Sequence, residues 1–73
     1  MYFEILGEVE EVEIIAGGKA VRDRRALREA FGGERWRKMK GIARVLMPDG
    51  SVRRAEVHWF EAHGVGRRKL ELK

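Results

Sequence analysis

The tripeptide Pro48-Asp49-Gly50 constrains the fold of this 73-residue chain more than any other feature. Proline pre-sets the backbone angle of a type I turn, aspartate suits the next position, and glycine takes the left-handed conformation that closes the loop. The sequence therefore predicts a β-hairpin over residues 35–63, in which Met47 and Ser51 flank a three-residue loop.

The turn also predicts which residues face each other across the hairpin. Because side chains alternate between the two faces of a sheet, each face can be read from the register. One face is mostly apolar and contains the pairs Val45–Arg53, Ala43–Ala55, Gly41–Val57 and Met39–Trp59. The other is mixed and basic, and contains Leu46–Val52, Arg44–Arg54, Ile42–Glu56 and Lys40–His58. A one-residue slip would exchange the faces.

The segment before the hairpin predicts a strand region followed by a short helix. In residues 2–15 the apolar phase shifts near Glu10-Glu11, as a β-bulge or a break between two strands would require, and Gly7 is a second candidate for the bend. After Gly17-Gly18, Asp23 is the predicted N-cap of a helix over residues 24–31. Gly32-Gly33 predicts the end of this helix, and its apolar face contains Leu27, Ala30 and Phe31. We expect the helix to pack on the apolar face of the hairpin, where the central residues are small.

These elements predict an α+β fold in a single domain, residues 1–73. We expect a single antiparallel β-sheet of four to five strands, which could curl into a partial barrel, and one short α-helix, in the order β(β)-α-β-β-β. Residues 67–73 form the predicted last strand. Residues 34–40 either extend the first hairpin strand or form a helical turn.

Composition and charge narrow the class of protein. The chain has no cysteine, which excludes disulfides and thiolate metal sites. Its acidic N-terminal segment is unlike a signal peptide, and no apolar run reaches about 20 residues, so we expect a soluble, cytoplasmic protein without a membrane partner. Arginine outnumbers lysine eleven to five, and asparagine, glutamine and threonine are absent. This composition fits a thermophile, although genomic base composition would also explain the arginine.

Charge is distributed unevenly along the chain. Residues 1–18 carry five acidic and no basic side chains, whereas residues 19–54 carry twelve basic and four acidic ones. A basic middle segment favours anionic partners, with nucleic acid first among them. Guanidinium groups bind phosphate oxygens, and an exposed indole stacks on bases. The candidate nucleic-acid-binding residues are therefore Arg24, Arg25, Arg28, Arg35, Trp36, Arg37, Lys40, Arg44 and Arg54. The alternative is a solvated helix face and a tryptophan that fills the core.

The predicted register places two like charges, Arg44 and Arg54, directly opposite each other. Like charges directly opposite destabilise a strand pair by about 0.2 to 1 kcal/mol. Either a bound anion offsets this repulsion, or Glu56 and the acidic residues of the N-terminal strand neutralise it. The sequence leaves both explanations open.

His58, Glu61 and His63 form a second candidate site. Histidine and carboxylate side chains bind divalent metals or act as an acid–base pair on RNA, which would make the protein a small nuclease. Their spacing matches no established metal motif. Structural roles are favoured, with His58 hydrogen-bonded on the sheet and His63 fixing the following loop. We therefore expect no metal and no cofactor, and we favour a binding protein over an enzyme.

The segments RWRKMKGIARV and PDGSVRRAEVHWFEAHGVGRRKLELK make up the C-terminal half of the chain. They resemble a group of short bacterial proteins of unknown function that share an HW-aromatic-EAHG segment. The resemblance implies a bacterial, single-domain protein and brings no activity. Our leading hypothesis is a small nucleic-acid-binding protein, RNA-directed and of low sequence specificity. The alternative is a protein-interaction module or homo-oligomer that assembles through sheet edges and charge complementarity.

Overall fold

Four strands and one helix account for most of the chain. The computed structural model describes residues 2–73. The strands are β1 (Glu4–Gly17), β2 (Arg37–Leu46), β3 (Val52–Ala62) and β4 (Gly66–Leu72). A 3₁₀ turn (Gly18–Ala20) and helix α1 (Arg24–Phe31) lie between β1 and β2. All neighbouring strands are antiparallel in the order β1-β2-β3-β4. The predicted α+β class with one antiparallel sheet is confirmed.

The central hairpin forms around the predicted turn. The Met47 N–H donates to the Ser51 carbonyl at 2.8 Å, and the Gly50 N–H donates to the Met47 carbonyl at 2.9 Å. Gly50 has a φ of 87°, which a residue with a side chain rarely adopts. Hydrogen bonds from Ser51 to the carboxylate of Asp49 lower the pKa of that carboxyl group. Every predicted pair from Met39–Trp59 to Leu46–Val52 is present, so the predicted faces are confirmed.

Strand β1 covers the apolar face of the hairpin. The main core cluster consists of buried residues from β2 and β3: Met39, Ala43, Val45, Val57 and Trp59. Phe3, Ile5 and Val9 pack against this cluster from the N-terminal segment. To reach it, β1 bends at register shifts between Leu6 and Glu10 and between Glu10 and Glu13. The predicted bulge near Glu10-Glu11 and the predicted bend at Gly7 are therefore both confirmed.

Gly41 makes this close approach of β1 sterically feasible. A Cβ atom at this position would lie 2.5 Å from Val9 Cγ1 and 3.0 Å from the Glu10 carbonyl oxygen. Both distances are shorter than ordinary van der Waals contacts. The small central residue thus accommodates β1, and not the helix that the sequence suggested.

Helix α1 packs at the open end of the hairpin. Its Leu27 is fully buried in a second cluster with Val21, Trp36 and Ala62. Ala62 is three residues from Trp59 along β3, so the two lie on opposite faces of the strand. The predicted position of the helix is therefore wrong, because β1 already occupies the apolar face.

The ends of α1 follow the sequence signals only in part. Asp23 occupies the N-cap position but makes no side-chain capping hydrogen bond. At the other end, the Gly32 N–H donates to the Arg28 carbonyl at 2.8 Å, as expected for a glycine stop. Ala30 and Phe31 are exposed, and Leu27 is the buried residue of the helix, although the Phe31 ring still lies 6.3 Å from the Trp36 ring between centroids. No helix in residues 2–73 is long and apolar enough to cross a membrane.

Candidate nucleic-acid interface

The basic face of the hairpin carries its own counter-charges. Arg54 lies 3.5 Å from a carboxylate oxygen of Glu10 and 3.9 Å from one of Glu11. Lys40 Nζ lies 3.3 Å from Glu13 Oε2. All three carboxylates belong to β1. The repulsion in the predicted Arg44–Arg54 pair is thus reduced by the protein's own acidic strand, which is one of the two explanations left open above.

Arg44 differs from its cross-strand partner Arg54. Its side chain is exposed, and within residues 2–73 no carboxylate oxygen lies within 4.0 Å of it. The ion pairs of Lys40 and Arg54 are themselves largely solvent-exposed, and such pairs contribute about 0 to 1 kcal/mol. The basic face of the hairpin therefore holds weak, exposed ion pairs at Lys40 and Arg54, and a cation without an ion pair in residues 2–73 at Arg44.

His58 also belongs to the basic face of the hairpin. Its Nε2 atom lies 2.7 Å from Glu56 Oε2. This hydrogen bond is the main cause that lowers the pKa of the Glu56 carboxyl group, and the charge of Lys40 lowers it further. The interpretation of His58 as a hydrogen-bonded residue on the sheet surface is confirmed.

Glu61 and His63 do not converge with His58. Glu61 accepts hydrogen bonds from Arg37 Nη2 at 2.9 Å and from Trp59 Nε1 at 2.7 Å. It lies three residues from His58 on β3 and thus on the opposite face. His63 is exposed in the turn after β3. Among the described residues, no group of three or more histidine or carboxylate side chains could hold a metal ion. The geometry gives the nuclease hypothesis no assembled site.

The remaining basic residues of the candidate set line a cleft beside the helix, which we call the α1 cleft. Its volume is about 670 Å³. It is lined by Gly18, Lys19, Arg24, Arg25, Arg28, Glu29, Glu34, Arg35 and Trp36. In the described part of the chain, no carboxylate oxygen lies within 4.0 Å of any of its five basic side chains. The α1 cleft therefore concentrates positive charge that the protein does not compensate with ion pairs.

Backbone and indole hydrogen bonds hold the walls of the α1 cleft together. The Gly18 N–H donates to the Trp36 carbonyl at 3.2 Å, which joins the 3₁₀ turn to the segment before β2. Trp36 Nε1 donates to the Gly32 carbonyl at 3.2 Å, which joins that segment to the end of α1. Trp36 is only 1% exposed. It has no free face on which a base could stack, so the alternative interpretation, a core tryptophan, describes it correctly.

The local backbone places positive charge in unfavourable positions. Arg24 and Arg25 occupy the first turn of α1, where the helix dipole already has its positive end. Arg35 has a left-handed φ of 56°, a conformation that costs about 1 kcal/mol or more in a residue other than glycine. Neither feature stabilises the isolated protein, and a bound anion would reduce the repulsion at the start of α1.

Three charged residues of the α1 cleft were not among the sequence candidates. Lys19 belongs to the same basic stretch of sequence and could have been found from it. Glu29 and Glu34 have the opposite charge, and only the tertiary structure places them among the cations.

The sheet edges do not favour strand addition by a second copy. Strand β1 has three register shifts and carries five glutamates, and β4 has an irregularity at Lys69, whose φ is 54°. Bulges and charged side chains are features by which proteins protect exposed edges. The exposed apolar residues on β1 are Val12, Ile14 and Ile15. Assembly through sheet edges remains a hypothesis that these bulges oppose.

Comparisons of the chain with known proteins found no matching family model, no matching curated protein and no matching solved structure. The resemblance to short bacterial proteins therefore stays a prediction. Any function must be argued from the α1 cleft and the hairpin face.

Proposed function

We propose that this protein binds nucleic acid, with RNA as the favoured ligand, through the α1 cleft. The observation that supports this is the set of five basic side chains that line one concavity without an ion-pair partner in residues 2–73. By contrast, Arg37, Lys40 and Arg54 each have a carboxylate within 4.0 Å. Phosphate contacts supply most sequence-independent affinity, so the cleft is the natural place for them.

Low sequence specificity follows from the type of contact. Phosphate groups are the same in every nucleotide, so guanidinium and ammonium contacts carry no sequence information. RNA is favoured because its single-stranded loops, bulges and ends present exposed phosphates and unstacked bases that a cleft of this kind can receive. The hairpin face contributes less in this proposal, because a phosphate bound there would have to displace Glu10, Glu11 or Glu13.

The test is a titration of labelled single-stranded RNA with the full chain at several salt concentrations. Five phosphate contacts predict a slope of about −3.5 for log affinity against log salt, at about 0.7 per phosphate of a single strand. The double variant Arg24→Ala/Arg25→Ala should lower affinity by about a hundredfold or more, since hydrogen bonds to charged groups contribute about 1.5 to 3 kcal/mol each. Its salt slope should be shallower by about 1.4.

The matched control is Arg22→Ala/Arg53→Ala. It removes the same charge from two exposed residues that do not line the α1 cleft. Affinity should change by less than about twofold, because contributions of exposed charges that touch no ligand are small. Equal losses in the two double variants would overturn the proposal, as would binding that is absent at low salt or insensitive to salt.

A further inference from the structure

We infer that the α1 cleft takes a short single-stranded segment of nucleic acid and excludes a duplex. This inference rests on the proposed function and deepens it by naming the form of the ligand. It is carried by the arrangement of the cleft walls, by the size of the cleft and by the two carboxylates inside it.

The basic side chains line both sides of the cleft. Arg24, Arg25 and Arg28 come from α1, while Lys19 and Arg35 come from the 3₁₀ turn and the segment before β2. The hydrogen bond from Gly18 to Trp36 makes these last two segments one wall. A helix that reads a duplex must project its side chains outward into a groove. Here the basic side chains of the helix and of the second wall line the same cleft, which suits a single nucleic-acid strand that enters between the two walls.

The size of the cleft agrees with a single strand. Its volume of about 670 Å³ lies within the range of about 300 to 1,000 Å³ that encloses small organic ligands, so it admits part of one strand and not both strands of a helix. Modules that bind double-stranded RNA instead span about 16 base pairs and contact successive grooves. In this protein, five of the twelve Lys and Arg side chains without an ion pair in residues 2–73 line one concavity, while the molecule as a whole is 36 Å long.

Glu29 and Glu34 disfavour a densely charged ligand. They lie among the five basic side chains of the cleft, so the lining has a net charge of +3. A carboxylate repels phosphate groups but accepts hydrogen bonds from base amino groups, as it does from cytosine N4. A nucleotide segment offers both phosphates and amino groups, whereas inorganic polyphosphate offers only phosphates. The lining therefore fits nucleotides better than polyphosphate.

The experiment compares ligands that carry equal numbers of phosphates. Fluorescence anisotropy would measure binding of the full chain to a single-stranded RNA and to an RNA duplex with the same total number of phosphates. Charge alone favours the duplex, because its linear charge density is higher and its salt slope steeper. We expect the single strand to bind at least about tenfold more tightly, a difference of about 1.4 kcal/mol. Tripolyphosphate and a mononucleotide should compete only weakly.

A pair of variants tests the role of the two carboxylates. Glu29→Gln/Glu34→Gln should strengthen competition by tripolyphosphate by about fivefold, because two repulsive charges leave the cleft. The control Glu4→Gln/Glu8→Gln changes net charge equally on β1, outside the cleft. It should strengthen that competition by less than about twofold.

The outcomes separate this inference from the proposed function. Duplex binding as tight as single-strand binding, with the Arg24→Ala/Arg25→Ala loss retained, would overturn the inference and leave the proposed function standing. Tripolyphosphate or a mononucleotide that competes as well as RNA would also overturn it, and would assign the cleft to a small phosphorylated ligand. Failure of every RNA to bind would overturn both.

Discussion

The α1 cleft and the basic face of the hairpin look alike in the sequence but differ in the folded protein. Both are rich in arginine and lysine, and both lie within the basic middle segment. On the hairpin face, Arg54 and Lys40 lie beside glutamates of β1. In the cleft, Glu29 and Glu34 are the acidic neighbours, and within residues 2–73 no carboxylate oxygen lies within 4.0 Å of a helix cation. A cluster of charge in sequence therefore becomes a charged surface only where its spatial neighbours leave it uncompensated.

The same bend of β1 brings apolar side chains onto the core and glutamates beside Arg54 on the basic face of the hairpin. The register shifts around Glu10 let Val9 lie over Gly41, and Glu11 adopts a left-handed φ of 52°. Glu10 and Glu11 are the two residues that reach Arg54. Packing on one side of the sheet and ion pairing on the other thus depend on one local distortion.

The largest effect on the free energy of unfolding should come from truncating Trp36, which lines the α1 cleft. Trp36→Ala deletes a fully buried side chain and its hydrogen bond to Gly32, so the free energy of unfolding should fall by about 3 to 5 kcal/mol. Ile14→Ala, a control at a residue of β1 that is 60% exposed, should cost less than about 1 kcal/mol. Denaturant unfolding measures both. A Trp36→Ala protein as stable as the parent would mean that Trp36 does not anchor the helix that forms one wall of the cleft.

A smaller effect should follow from displacing β1. Gly41→Ala puts a Cβ atom against Val9 Cγ1 and the Glu10 carbonyl, and overpacking of this kind costs about 1 to 3 kcal/mol. Gly17→Ala, also in a strand, meets no atom within 4 Å and should change the free energy of unfolding by less than about 0.5 kcal/mol. Thermal unfolding of the two variants distinguishes them. Equal midpoints would contradict the close contact between β1 and the hairpin.

The smallest effect should come from uncovering the hairpin face. Glu10→Gln/Glu11→Gln removes the carboxylates beside Arg54, and RNA affinity should rise by about two- to fivefold, since an exposed ion pair contributes up to about 1 kcal/mol. Glu4→Gln/Glu8→Gln changes net charge equally but frees no ion-paired cation in residues 2–73. RNA titrations at one salt concentration compare them. An equal rise in the control would show that net charge, and not uncovering of Arg54, controls affinity.

Much of the secondary structure was predictable because its causes are local. The turn at Pro48-Asp49-Gly50 sets the hairpin register, and alternation then assigns each face. The helix bounds, residues 24–31, were predicted from a preceding aspartate and a following glycine pair, and of these signals the glycine stop makes the expected hydrogen bond. These features depend on backbone preferences within a few residues, so they can be read along the chain.

The candidate site was only partly predictable. Arg24, Arg25, Arg28 and Arg35 were identified from charge alone, and the structure places them in one cleft. Arg37, Lys40 and Arg54 were identified by the same signal but have acidic neighbours from other strands. Nothing local distinguishes the two groups, because ion pairs form between residues distant in sequence.

A hairpin with one apolar and one basic face can be read from the order of the residues alone. Which element covers each face can be seen only in the folded chain. Strand β1 bends over the apolar face and brings its glutamates to the basic one, which leaves helix α1 to pack against Trp36 at the open end. Turn geometry acts over a few bonds, whereas core packing and ion pairing join residues that are distant in sequence and depend on where β1 bends.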